Sequence, residues 1–299
     1  MIKKPYILFF LSMFFVSPLI QAQAILEVAA KTIEKQLSYT SAGTIILNGE
    51  NATVKIDSWN KNEVKVKLKL ITKHRVKTVA ISALDNIKYL IEKKGDDIYL
   101  RNYFLSQDKS ATGCILKVEY ELTVPEKSNF SIKNNLGNVE VKNTEGKFDI
   151  EAKFGNINLS GIKGDIGINL SLGDIQAHQL DGTITIKANN SEINMENLSG
   201  KYRFTLVSSD LFFKPGNKIE LLNIETKNGD VNLLLNPNDV YNYAFTTAYG
   251  EIKVPDIFKT KIINEKNNSS FNYSNNVSSS VFIRSDFGNI TLTHNLIIK

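Results

Sequence analysis

Cysteine is almost absent: Cys114 is the only one in 299 residues, so no disulfide can form within the chain. It sits in the strand-like run Cys114–Val118 and reads as a buried thiol. Histidine is nearly as scarce. His74, His178 and His294 are far apart in sequence, and none lies in an HExxH, so a clustered zinc site lacks its ligands. No P-loop, GxSxG elbow or dinucleotide fingerprint is present. No metal or other cofactor is expected. With 17 Gly the chain is no collagen, and 42% hydrophobic residues exclude general disorder. After the first two dozen residues no further apolar run reaches membrane length.

The chain opens MIKKPYILFFLSMFFVSPLIQAQA, with basic Lys3 and Lys4, an apolar stretch over Tyr6–Val16, and Ala22-Gln23-Ala24 as a small-x-small end. This reads as a cleaved signal peptide over residues 1–24. A membrane anchor is the alternative; Pro18 and the polar, small end argue against it. Loss of the two lysines takes the net charge from +5 to +3. The expected location is outside the cytoplasm: periplasm, outer surface or secreted. With so small a charge, nucleic acid is not an expected partner.

From Gly137 the chain keeps a metre of nine. Positions 137, 146, 155, 164, 173, 182, 191, 200 and 209 are seven glycines and two serines. Successive nines differ, so the unit is eighteen. One half reads Gly-Asn/Asp-apolar-x-apolar, as in Gly155–Leu159 and Gly173–Ala177. The other alternates longer, as in Phe148, Ile150, Ala152 and Phe154, or Ile166, Ile168, Leu170 and Leu172. Period two means strands with one buried face, and these sets are expected to point inward. One unit cannot bury its apolar face alone, but stacked units can. The expected fold is mainly β: a parallel β-solenoid of about 18 residues per coil. Glycines at 229, 250 and 288 continue the register with slippage, giving roughly eight coils over 126–299. A hexapeptide helix would punctuate every six residues. The calcium-binding nonapeptide roll would need paired glycines and an aspartate ladder, so neither type fits.

Residues 25–125 do not show the repeat. Val64, Val66, Leu68 and Leu70 alternate with lysines, and Val76, Val79, Ala80, Ala83, Leu84 and Ile87 outline a helical face near 76–88. The expectation is a β-rich cap carrying one amphipathic helix over an open solenoid end; a separate small domain is the alternative. Residues 264–280 hold six Asn and six Ser and read as a polar loop leaving the stack, with a contact loop as the functional alternative.

Parallel β-helices include polysaccharide-cleaving enzymes, so paired outward acids matter. Asp149 and Glu151 share a strand. Asn156, Asp174, Glu192 and Asp210 occupy one position in successive units and form the sharpest polar column. Asn and Asp in turns ordinarily accept bonds from backbone N–H groups; a cation or sugar contact is the functional alternative. No catalytic set is assigned. The lysines at 61, 65, 67, 69, 73 and 77, with Arg75, read as a solvated strand face, or as a contact with an anionic envelope surface.

Several motifs in order resemble the bacterial putative-adhesin family of β-strand-repeat proteins. They are Thr53–Trp59 followed by Glu63–Val66, the helix-then-strands segment, and Tyr120–Pro125. After these come the Gly-Asn/Asp-Ile/Val steps, and Leu233–Pro237 before Tyr249–Ile252. Asn51 stands where that family commonly has glycine. The resemblance implies an exported β-solenoid of unassigned function, with no catalytic residues to carry over. The functional expectation is a non-enzymatic envelope or cell-surface protein with an adhesin-like binding or structural role. Its partner would be an envelope or surface protein or a glycan. The alternatives are a polysaccharide-active β-helix enzyme and an accessory binding protein in envelope-stress signalling.

Overall fold

The computed structural model describes residues 26–105, 113–217 and 219–294; the leader read over 1–24 lies outside them. The first part comprises β1 (Glu27–Ser38), β2 (Thr44–Glu50), β3 (Ala52–Trp59), β4 (Glu63–His74), α1 (Lys77–Ala83), β5 (Ile87–Lys94), β6 (Asp97–Phe104) and β7 (Ile115–Pro125). The repeat supplies β8 (Asn129–Asn135), β9 (Val139–Lys142), β10 (Glu145–Lys153), β11 (Ile157–Ser171), β12 (Ile175–Asn189) and β13 (Glu192–Val207). It continues with β14 (Asp210–Pro215), β15 (Leu221–Lys227) and β16 (Val231–Leu235). The last part holds β17 (Asn242–Ala248), β18 (Ile252–Lys253), β19 (Ile262–Glu265), β20 (Asn268–Tyr273), β21 (Ser280–Asp286) and β22 (Ile290–His294).

The fold is a parallel β-solenoid. One face stacks β6, β2, β8, β10, the second halves of β11, β12 and β13, then β15, β21 and β17. The other stacks β7, β3, β9, the first halves of β11, β12 and β13, then β14, β16, β22 and β18. The pairing register is the eighteen-residue unit: Phe148 lies beside Ile166, Ile184 and Tyr202 in turn, and Ile157 beside Ile175, Ile193 and Leu211. Inward residues of both faces form one core. Tyr202 from the first face meets Phe213 from the second with ring centroids 5.1 Å apart.

Chain order and stack order part company at both ends. The β2–β3 rung sits between the β6–β7 and β8–β9 rungs. At the far end β21–β22 slots between β15–β16 and β17–β18. The last three glycines of the metre therefore stack as 229, 288, 250.

Both ends are closed by antiparallel strands. β4 pairs with β7 and β1 with β4 on one face, while β5 pairs with β6 on the other. Two lysines tie these end strands across the core: Lys35 Nζ donates to the Ile91 carbonyl at 2.8 Å, and Lys93 Nζ donates to the Ser38 carbonyl at 2.9 Å. Helix α1 packs on β1 and β4 through buried Ala80 and Ala83. The α-helix is shorter than the sequence suggests: residues 84–86 tighten to a 3₁₀ turn, and Ile87 and Lys88 already belong to β5. Strand β1, which the alternation does not reveal, covers the edge of β4.

At the other end the polar stretch 264–280 does not leave the stack as a loop. Residues 268–273 form β20, antiparallel to β17, with β19 beyond it. The free backbone edge of β17 and the buried Phe271 outweigh the polar composition. Phe258 closes the core there against Tyr243, Phe271 and Tyr273.

One group of expected core residues is outside. Phe154 and Leu172 end their alternating sets, yet they are 52% and 47% exposed. Each sits at positive φ, 54° and 59°, where the chain turns the corner before glycine. The left-handed residue reverses the alternation and directs its side chain outward.

Candidate functional site

The structure brings Asn156, Asp174, Glu192 and Asp210 into one column and shows what holds it. The Asn156 N–H donates to Asn138 Oδ1, Asp174 N–H to Asn156 Oδ1, and Glu192 N–H to Asp174 Oδ1, each at 3.0 Å. A second run follows: Asp230 N–H to Asp210 Oδ1 at 2.8 Å, Asn289 N–H to Asp230 Oδ1 at 2.8 Å, and Glu251 N–H to Asn289 Oδ1 at 3.0 Å. Between the runs the Asp210 N–H turns to the Ser191 carbonyl, and Glu192 makes no such bond upward. A Glu side chain has one methylene too many for this geometry. Each run thus ends on a glutamate. One oxygen of each Asn or Asp in a run is spent on the rung beside it, and Asp230 spends its second oxygen as well, accepting from the Asn289 amide at 3.4 Å.

Beside this ladder, two residues earlier in each unit, runs a column that sequence reasoning missed. In stack order it is Leu136, Phe154, Leu172, Asn190, Ser208, Asn228, Phe287 and Tyr249, all with φ between 48° and 65°. Each N–H bonds a carbonyl of the adjoining strand layer: Leu136 to Lys153, Phe154 to Ser171, Leu172 to Asn189, and so on to Tyr249 with Asn267. Left-handed backbone suits Asn and Gly and disfavours bulky side chains. Asn190 and Asn228 obey that rule and Ser208 is at least small, whereas five are large, apolar or aromatic and roughly half exposed. Phe287 and Tyr249 stack with ring centroids 4.9 Å apart and planes 4° from parallel. The signal was in plain view, as the residue preceding every second glycine or serine of the metre.

The lysine run of β4 is largely neutralised. Lys65 pairs with Glu34 at 3.8 Å, Lys67 with Glu121 at 2.9 Å and Lys69 with Glu119 at 4.0 Å. The hydrogen bond and charge of Lys67 hold the Glu121 carboxyl below its ordinary value, and Lys67 is raised in turn by Glu121. Of the outward acids on β10, Glu151 pairs with Lys133 at 3.0 Å. The histidines stay apart: His74 Nδ1 accepts from the Val76 N–H, and His178 lines a shallow depression with Gln176 and Asn194. His294 packs edge-on to Phe258. Among the described residues no three His, Cys, Asp or Glu side chains gather as a metal site, and no helix is long and apolar enough to cross a membrane.

A two-faced parallel β-solenoid with both ends covered, polar ladders along its corners and ion-paired outer strands defines the class of protein. Within that class the chain belongs to the family described as Toastrack DUF4097, which matches residues 42–293. No curated protein matches the chain. Among solved structures it is similar to a protein described as a putative cell adhesion protein from Clostridium sporogenes. That match has 14% identity and a TM-score of 0.27, covering 89% of this chain and 100% of that one. It is also similar to a putative adhesin from Bacteroides fragilis, with 10% identity and a TM-score of 0.39, covering 88% and 97%. A putative lipid binding protein from Parabacteroides distasonis shares 13% identity with a TM-score of 0.31, covering 88% and 96%. Likeness at this level decides neither a ligand nor an activity.

Proposed function

We propose that the protein is an exported, non-enzymatic scaffold of the cell envelope that binds an envelope or surface macromolecule along its sides. The observation that carries this reading is the closure of both ends. Lys35 and Lys93 strap one end and Phe258 seals the other, so a partner meets the lateral faces and corners. Those sides repeat similar polar groups on three successive rungs, as Asn158, Gln176 and Asn194 do in register on β11, β12 and β13. A repeated, flat array suits recognition of an extended partner. The outward acids support this over hydrolysis: Glu151 is ion-paired, and Asp174 spends an oxygen on the ladder.

The test combines fractionation and protease shaving with crosslinking in place. Cys114 is buried, so a Gln176→Cys variant offers one reactive thiol on the outward row. The expected result is an extracytoplasmic protein that crosslinks from position 176 to an envelope component. A cytoplasmic protein would overturn the reading. So would depolymerisation of a glycan by the native chain that an Asp174→Asn variant cannot perform.

A further inference from the structure

We infer that the Tyr249–Phe287 corner is a sugar-binding platform for a neutral pyranose. The inference rests on the lateral-binding reading and names the ligand class for one corner of it.

The aromatic pair is not required by the fold. Asn190, Ser208 and Asn228 build the same corner at neighbouring rungs with the same backbone bonds. Tyr249 and Phe287 hold φ of 58° and 61°, where bulky residues are disfavoured. They are also 62% and 54% exposed. Leu136, Phe154 and Leu172 share both features, but only this corner pairs two stacked rings beside a polar depression, which points to a contact made by the rings.

The surroundings say what that contact is. One Phe287 face is covered by Tyr249, and the parallel stack locks both rings. Tyr249 borders a shallow depression of about 490 Å³, lined also by Glu251, Lys266, Asn267, Ser269 and Asn289. A pyranose has an apolar C–H face that sits on an aromatic ring, whose π face is electron-rich. Around its rim it carries hydroxyls that each donate and accept. The depression offers both roles: Glu251 accepts, Lys266 donates, and Asn267 and Ser269 do either. Asn289 is already positioned by Asp230, through its N–H at 2.8 Å and its amide at 3.4 Å. Glu251 is balanced by Lys253 at 3.4 Å, so the site carries little net charge. A nucleotide would also stack, but Asp286, paired with Ala248, and Asp230, bonded to Asn289, stand beside the corner and disfavour its phosphate.

Purified full-length protein is titrated with chito-, cello- and manno-oligosaccharides, with a mononucleotide and a sulfated glycan alongside, and followed by saturation-transfer NMR and calorimetry. At least one neutral oligosaccharide is expected to bind, receiving saturation from the Tyr249 ring. Tyr249→Asn is expected to weaken binding at least tenfold while the urea midpoint holds or rises, because Asn tolerates the left-handed turn. Leu172→Asn, on the same column but remote, is expected to leave binding unchanged. The platform is overturned if no neutral oligosaccharide binds, if Tyr249→Asn binds as well as the native chain, or if the nucleotide or the sulfated glycan binds more tightly. Any of these results with crosslinking from position 176 intact removes the platform and leaves the scaffold reading standing.

Discussion

At the scale of single residues, the solenoid is held by what cannot be added as much as by what is present. Gly182 has φ of 139°, and a Cβ there would lie 2.0 Å from the Gly164 carbonyl oxygen of the rung beneath. Gly182→Ala is expected to destabilise by about 1–3 kcal/mol through overpacking alone, read as a lower urea midpoint. Tyr120 is the opposite case. It is fully buried, burial raises its hydroxyl far above the usual range, and the hydroxyl has no partner among the described residues. Tyr120→Phe removes an unsatisfied polar atom, so stability is expected to hold or to rise by about 1 kcal/mol. His294 gives a pH dependence. Burial against Phe258 lowers its pKa from the ordinary 6.5, so the unfolded chain binds the extra proton first. Stability should therefore decline as pH falls from about 6.5 through the folded value. In His294→Gln that slope should be gone, which thermal melts across the range would show.

At the scale of elements, the terminal strands decide whether the solenoid stays solitary. A parallel stack ends in an unpaired edge that invites another chain. Strand β1 occupies that position with Lys31 and Lys35 on the side facing the core, and Lys35 is anchored on the Ile91 carbonyl. An inward charge on an edge strand is a deterrent to further pairing. Lys35→Val is expected to leave the rungs intact and to produce dimers or larger species, detected by size-exclusion chromatography with light scattering. The amphipathic pattern around Val79–Ala83 was legible because helical periodicity is local. The strand β1 was not, since most of its residues are exposed on both faces and alternate weakly.

At the scale of the whole molecule, the permuted ends alter what truncation does. Residues 280–294 are the last of the described residues but lie inside the stack, paired on both sides by β15–β16 and β17–β18. Removing residues from 280 onward would take out an internal rung and expose two apolar faces. We expect such a chain to lose cooperative unfolding and near-ultraviolet dichroism. In a solenoid stacked in chain order the same cut would only shorten the stack.

The eighteen-residue unit, the inward rows and the polar column could all be read from the chain alone. Each depends on spacing along one strand or one turn, and period two and the glycine metre are local quantities. The order of the outer rungs could not be read. The three outer coils present the same inward pattern and the same glycine, so any two of them are compatible neighbours. Only the packing of the ends selects 229–288–250 over 229–250–288. The direction of Phe154, Leu172, Phe287 and Tyr249 was hidden for a related reason. Alternation predicts a buried face until a left-handed residue breaks it, and that break belongs to the corner, where one rung's N–H must reach the next rung's carbonyl.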